Sequence, residues 1–275
     1  MEQAWPAWVD ENLQRGCNPQ QIVDILLKNH FTFPVIREMM GNKFPAEALS
    51  RPAAIDHKAL CEIPLLSLGK KSSVHYVPNP KVQLYTVYNF LTNKDCNTLI
   101  EVINRSLRPS TVTVYREGFR TSYTSDLTKL DHPIVETIDK KIAAALSIHL
   151  SYSEGIQAQK YTVGQEFKAH TDYFEPNTEE YKKFAVPMGN RTWTFMVYLN
   201  DTPKGGGTHF VNIDKIFYPK KGMAIAWNNL HADGTPNPYT MHHGMPVEEG
   251  EKYIITKWFR ENGKGKMFYD DENDA

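Results

Sequence analysis

A mostly β fold with flanking helices, a sandwich or barrel of the jelly-roll kind preceded by a small N-terminal helical region, is what this 275-residue sequence predicts. Three observations carry the prediction. Between about Gly155 and Phe259 the chain runs through short β-like stretches broken by Gly, Pro and Asn. The helical patterns precede those stretches and do not alternate with them, which argues against a doubly wound parallel sheet. Many short strands closed by turns fit economically into a jelly roll.

The elements follow in chain order. Trp5, Trp8, Val9 and Leu13 fall at helical spacing, and Gly16 marks a stop. Asn18 reads as an N-cap before Pro19 and Gln21, and Ile22, Ile25, Leu26 and Phe31 predict one buried stripe. A third short helix is expected over Pro34 to Met40, ending at Gly41. Helices this short are unstable alone and must pack, so 1–42 is expected as a helical region. Periodicity then lapses. Pro45, Pro52, Pro64, Pro78 and Pro80 mark 43–80 as a linker, with a short helix around Ala46 to Leu49.

The span 81–262 reads as the main domain. Val82 to Val87 alternates as a strand, Thr92 and Asp95 form a capping pair for a helix through about Asn104, and Pro133 opens another helix whose Ile134, Ile138, Ile142 and Leu146 fall four apart. The clearest later strands are Gln157 to Val163, Thr192 to Leu199, Thr208 to Val211, Gly222 to Trp227 and Lys252 to Phe259. Residues 263–275 read as an acidic tail.

Composition excludes several function classes. With 31 basic and 32 acidic side chains the net charge is -1, so no strong field recruits nucleic acid or an anionic membrane, and neither is expected as a partner. Cys17, Cys61 and Cys96 form neither a metal pair nor a disulfide framework, and the first ten residues lack the basic and apolar runs of a secretory signal. No apolar run is long enough to span a bilayer, and a cytoplasmic location is expected.

The chemistry starts at His170-Thr171-Asp172. On an extended strand, residues two apart share a face, so the imidazole and the carboxylate can share one metal ion. Two His and one carboxylate on one side of a metal leave open positions and suit Fe(II). The third ligand must come from elsewhere. The adjacent His242 and His243 are the candidates, with His209 and His231 as weaker rivals. Lys252 follows His242 at the start of the last strand and shares a face with Ile254, Thr256 and Trp258. A lysine buried there is a natural counter-ion for a dicarboxylate; a solvated surface lysine is the plainer alternative.

Tyr161, Gly164 and Gln165 ahead of His170 and Asp172 resemble the stretch that carries the first two metal ligands in the prolyl 4-hydroxylase family. So do Gly189-Asn190-Arg191-Thr192, Tyr198-Leu199-Asn200-Asp201, Gly205-Gly206-Gly207-Thr208-His209-Phe210, Pro219-Lys220-Lys221-Gly222 and the block from His242 through Lys252 to Trp258. Upstream, Asn89-Phe90-Leu91-Thr92, Cys96, Leu99-Ile100 and Arg120-Thr121-Ser122 fit the same pattern, so the resemblance covers about Val82 to Arg260. It implies a double-stranded β-helix, with His170, Asp172 and His242 holding Fe(II) and Lys252 binding the distal carboxylate of 2-oxoglutarate. It also implies that Tyr161 and Thr208 line the co-substrate pocket and that Arg191 bears on a peptide substrate. For Tyr161 the alternative is a packed core tyrosine, and for Arg191 a plain salt bridge.

The chain departs from the family pattern at Gly207, where an acidic residue is usual, and at His243, where a small one is usual. The helices of Trp5 to Met40 do not resemble the family's peptide-binding domain. The implied reaction is hydroxylation of prolyl residues in a protein or peptide, with O2 as a further co-substrate and ascorbate as an accompanying reductant. Asp172 keeps the position that a halogenase would leave to halide, so hydroxylation is preferred over halogenation. The alternatives are the same chemistry on a free amino acid or other small molecule, or a jelly-roll binding module without turnover. The stretch Tyr173 to Gly189 is long and charged and reads either as a lid over substrate or as a surface excursion.

Overall fold

Helix ends in the computed structural model fall where side chains can satisfy free backbone groups. It describes residues 5–29, 31, 33–45, 55–63, 65, 72–111, 118–186 and 188–269, in two compact units, Met1–Ala53 and Ala54–Ala275. The first unit holds α1 (Trp5–Gln14), α2 (Pro19–Lys28) and α3 (Phe33–Met40). Asn18 accepts the Gln20 amide at 2.8 Å and so starts α2, while Gly16, at φ 78°, stops the chain after α1. Val9, Ile22, Val23, Leu26, Ile36 and Met40 form its core. Ile25, expected in the stripe, is exposed instead, and Val23 is buried. The cause is angular: at 100° per residue Val23 and Leu26 fall on one side of Ile22 and Ile25 on the other.

The stretch expected as a linker over 43–80 divides between the units. Its described part holds α4 (His57–Glu62), capped by Asp56 accepting the Ala59 amide at 2.9 Å, and β1 (Ser73–Tyr76). Leu60, Ile63 and Leu65 join the main core, so this part is structured. The short helix expected at Ala46 to Leu49 and the end of the tail, 270–275, lie outside the described residues.

The second unit is built on antiparallel sheets. The large one has the order β1, β2 (Leu84–Tyr88), β11 (Ala224–Asn228), β7 (Arg191–Tyr198), β14 (Lys252–Arg260), β5 (Gln157–Tyr161), β4 (Tyr123–Asp126) and β3 (Arg108–Pro109). The small one has the order β10 (Lys215–Phe217), β9 (Thr208–Phe210), β12 (His242–Gly244) and β6 (Phe167–His170). A two-stranded ribbon pairs β13 (Val247–Glu249) with β8 (Lys204–Gly205). The predicted strands are present, within a few residues at their ends.

Period-two alternation divides the large sheet into two faces. Phe195, Val197, Ala226, Ile255 and Phe259 pack on α5 (Asn93–Asn104) and α6 (Pro133–Leu146). The capping box of Thr92 and Asp95 opens α5, and Ile138, Ile142 and Leu146 are buried on α6 as their spacing predicts. The other face sets Tyr161, Met196, Tyr198, Trp227 and Ile254 against Phe210 and Phe217 of the small sheet. The space between the sheets is where the chemistry-bearing residues lie.

Because α5 packs on the far face, replacing its cap should change stability alone. Thr92→Ala is expected to lower unfolding free energy by about 1 kcal/mol in urea denaturation while metal affinity stays unchanged.

Candidate metal centre

In the register of β12 on β6, His242 lies directly opposite His170, so both imidazoles stand on one face. Asp172 follows two residues after His170. One ligand atom from each of His170, Asp172 and His242 lies within 4.8 Å of the others, and His170 Nε2 is 3.9 Å from Asp172 Oδ1. His243 points to the opposite face and pairs with Glu166 at 2.8 Å, so it is His242 that joins the cluster. His209 contacts Asp214 at 3.1 Å and His231 is exposed. Neither belongs to this cluster.

Local hydrogen bonds prepare the three side chains for a cation. His170 Nδ1 lies 2.8 Å from the Lys168 carbonyl, and His242 Nδ1 lies 2.9 Å from the Thr240 carbonyl. A carbonyl only accepts, so each Nδ1 carries a proton, and Nε2 is the atom that each ring can offer to a metal. Burial, with His242 beside it, pushes His170 down to about 3, which keeps the ring neutral. Burial works to raise Asp172, but His242, His170 and Arg191 together with a hydrogen bond from Thr194 hold it below the usual carboxylate range. Two imidazoles that can each offer Nε2 and one carboxylate with its charge intact are a donor set that fits Fe(II).

A narrow inner pocket of about 40 Å³ reaches from these residues to Lys252. Lys252 is 1% exposed, and its Nζ donates to the Gly206 carbonyl at 2.9 Å and sits 4.3 Å from the centre of the Tyr161 ring. Gly206 has φ 68°, and a Cβ there would press on Lys252 Cδ at 3.3 Å, so the glycine run also clears the lysine's path. Among the described residues no carboxylate pairs with Lys252, and burial pushes its ammonium down to about 7. A buried cation on neutral partners is a fitting end for a dicarboxylate chain. Tyr161 lies opposite Lys252 across the strands, and burial raises its hydroxyl against the pull of Arg120 and a hydrogen bond from Ser122. Thr208 lines the same pocket and accepts the Tyr198 hydroxyl at 2.6 Å.

An outer cavity of about 610 Å³ opens on the other side of His170 and Asp172. Phe119, Tyr173, Phe174, Phe184 and Trp258 line it, and Arg191 lies among them. Arg191 donates through Nε and Nη2 to Glu154 at 2.6 and 2.8 Å, and through Nη1 to the Asp172 carbonyl at 3.3 Å. Its guanidinium also lies 4.1 Å from the Trp258 ring centre. The salt bridge weighed for Arg191 is therefore present, and it coexists with a place in the cavity wall. The stretch Tyr173 to Gly189 contains a short helix, α7 (Glu179–Phe184). Asn190 fastens Phe174 through two hydrogen bonds of 2.8 and 2.9 Å, and Arg260 donates to the Phe184 and Gly189 carbonyls.

Three partners of the site were not predicted from the sequence. Thr194 donates to Asp172 Oδ2 at 2.7 Å, Glu154 grips Arg191, and Arg120 stacks 4.7 Å over Phe167, whose ring lies 3.6 Å from His170. Thr194 carries a weak signal, a hydroxyl on the inward face of a strand with large apolar neighbours. Glu154 lies in a loop and carries none.

Comparison with known proteins points the same way. The family model described as the 2OG-Fe(II) oxygenase superfamily matches residues 156–260. A probable prolyl 4-hydroxylase 4 of Arabidopsis thaliana is 31% identical over 225 residues, which cover 70% of this chain and 74% of that protein. Prolyl 4-hydroxylase 5 of the same plant is 33% identical over 207 residues, covering 66% and 68%. Among solved structures, the viral collagen prolyl hydroxylase of Paramecium Bursaria Chlorella virus-1, in a complex with 2OG, aligns at TM-score 0.51 and 25% identity over 71% of this chain and 98% of that one.

Two predictions follow from the geometry. His242→Ala should weaken Mn(II) binding at least about tenfold by calorimetry, whereas His243→Ala, which loses only the contact to Glu166, should leave it unchanged. The second concerns pH. Lys252 would grip a carboxylate only as a cation, the form that the free protein holds below about pH 7. Above that, binding must take up a proton, so 2-oxoglutarate affinity should fall about tenfold per pH unit, with proton uptake visible as a buffer-dependent binding enthalpy. In the ligand-free protein the sign is reversed. The unfolded chain binds this proton more tightly, so stability rises as pH climbs from about 7 toward the ordinary lysine range.

Proposed function

Because the chain belongs to the 2OG-Fe(II) oxygenase superfamily, with prolyl 4-hydroxylases among its homologues, we propose that it hydroxylates prolyl residues in a protein or peptide. Fe(II) and 2-oxoglutarate are the metal and co-substrate of this enzyme. Together with O2 they supply the oxidation of an unactivated C–H bond to C–OH, with succinate and CO2 as co-products. His170, Asp172 and His242 would hold the metal.

The observation that carries the proposal is the meeting of two unlike spaces at these three side chains. The inner one ends on the unpaired lysine and is too narrow for a peptide; the outer one is wide and aromatic. Lys252 would hold the far carboxylate of 2-oxoglutarate, with the Tyr161 and Thr208 hydroxyls beside it, and ascorbate would serve as an accompanying reductant. On the outer side Phe119, Phe174, Phe184 and Trp258 offer flat apolar faces of the kind on which prolyl rings and extended proline-rich backbones dock. Three of the five N–H groups of Arg191 are taken by Glu154 and the Asp172 carbonyl, which leaves it donors for a peptide carbonyl.

A free amino acid would leave most of the outer cavity unfilled, and no feature of the site favours it. Incubation with Fe(II), ascorbate, 2-oxoglutarate and a proline-rich peptide should release succinate and add one oxygen to a prolyl residue, as read by mass spectrometry. Turnover confined to a small molecule would overturn the peptide reading. Metal binding without turnover on either class would turn the proposal toward a binding module.

A further inference from the structure

The carboxylate of Asp172 is reached by a chain of buried hydrogen bonds that starts at a tryptophan. Trp227 Nε1 donates to Asn229 Oδ1 at 3.0 Å, Asn229 Nδ2 donates to Thr194 Oγ1 at 2.9 Å, and Thr194 Oγ1 donates to Asp172 Oδ2 at 2.7 Å. Trp227 is 1% exposed and Thr194 and Asn229 are fully buried. Backbone pairing holds them in place. Trp227 lies opposite Thr194 between β11 and β7, and Asn229 bonds through its amide to the Thr192 carbonyl and through its carbonyl to the Asn237 amide, at 2.7 and 2.9 Å.

The direction of the chain follows from the chemistry of its first member. An indole N–H can only donate, so the side-chain amide of Asn229 must turn its oxygen to Trp227 and its NH2 to Thr194. The Thr194 hydroxyl, already accepting from that NH2, has one proton left, and it points at Asp172. Every donor along the chain therefore faces the carboxylate, and one of its two oxygens is engaged before any metal arrives. Trp227 has a second contact: its ring meets His242 edge-on, centroids 5.0 Å apart, with Phe210 packed at 5.2 Å on the same ring.

We propose that Trp227, Asn229 and Thr194 are positioning residues that form a one-way relay, presenting Asp172 to the metal through a single oxygen while Trp227 also braces His242. With one lone pair of Oδ2 taken by Thr194, Oδ1 is the freer oxygen to offer the ion, which disfavours binding through both oxygens and the loss of a position that the co-substrate and O2 require. The inference concerns the metal ligands alone and holds whatever the substrate is.

The test is Mn(II) affinity without turnover, read from the electron paramagnetic resonance signal of the free ion, beside circular dichroism and a thermal melt. Thr194→Val keeps the shape and removes the proton, and it should weaken Mn(II) binding about 10- to 100-fold, while Thr194→Ser restores affinity close to wild type. Trp227→Phe keeps a ring against His242 but frees Asn229 to flip its carbonyl toward Thr194. That draws the proton away from Asp172 and should weaken binding in the same direction. A side chain that only supported packing would lower the melting temperature without this separation of Val from Ser. A folded Thr194→Val protein with wild-type Mn(II) affinity would overturn the relay. If that variant does not fold, unchanged affinity in Trp227→Phe would overturn it equally. Wild-type protein that failed to bind Mn(II) would remove the metal centre and the relay together, which separates that failure from one confined to the relay.

Discussion

The antiparallel register that sets His242 opposite His170 is the constraint on which the rest of the site depends. In a strand a slip of one residue exchanges the faces, so His243 would turn inward and His242 would meet Glu166. Such a slip is resisted from both sides of β12. Its other neighbour, β9, pairs Phe210 with His242 and Thr208 with Gly244, and the Met245 amide donates to the Gly207 carbonyl at 2.8 Å. Phe210 and Phe217 belong to the apolar cluster between the sheets, so moving the strand would drag large rings out of their packing. A hydrophobic register thus places two polar ligands.

The same alternation makes the interior beside the site unusually polar for a buried sheet face. Thr192, Thr194, Gln159, Lys252 and Thr256 are all buried there. Just beyond them Glu154 takes both Arg191 and Arg260, while Lys257, fully buried on the far face, is held by Asp139 at 2.6 Å. Buried charges of this kind are tolerated only when paired, and one partner removed leaves the other stranded. Arg191 and Arg260 therefore tie the centre to the Tyr173 to Gly189 stretch, since the first bonds the Asp172 carbonyl and the second the Phe184 carbonyl. This pairing fastens the Phe174 and Phe184 side of the outer cavity to the large sheet.

Much of this was legible in the sequence because it is local. His170 and Asp172 lie two apart in the chain, although β6 ends at His170 and Asp172 reaches the cluster from the bend that follows; Lys252 shares a face with Trp258 through strand alternation, and Thr92 meets Asp95 within one helical turn. What depended on strand pairing was not legible. His242 and His243 differ only in face, and face is fixed by register with β9 and β6. The strand β6 itself is four residues long and was not distinguished by composition. The five prolines of 43–80 hid α4 and β1, whose order comes from packing on the main core. Thr194, Asn229 and Trp227 lie far from Asp172 in the chain and are joined to it only by the fold.

The distribution of unmet bonding capacity separates what the fold uses for itself from what it reserves. The buried polar groups around Glu154, Asn190 and Asn229 are matched donor to acceptor within the protein. Among the described residues the buried side-chain atoms without a partner are Thr192 Oγ1 and Trp258 Nε1. Trp258 lines both cavities, and Thr192 precedes Thr194 on the same face of β7. Lys252 belongs with them, since a neutral carbonyl is a poor match for a buried ammonium. A buried polar atom left short costs stability, and for Lys252 a bound carboxylate would remove that cost. Lys252 and Trp258 lie on one face of β14, the lysine in the inner pocket and the indole where the two spaces join. A charge without a counter-ion therefore stands at the inner end of the pocket that reaches the three metal-ligating side chains, where a carboxylate would complete it.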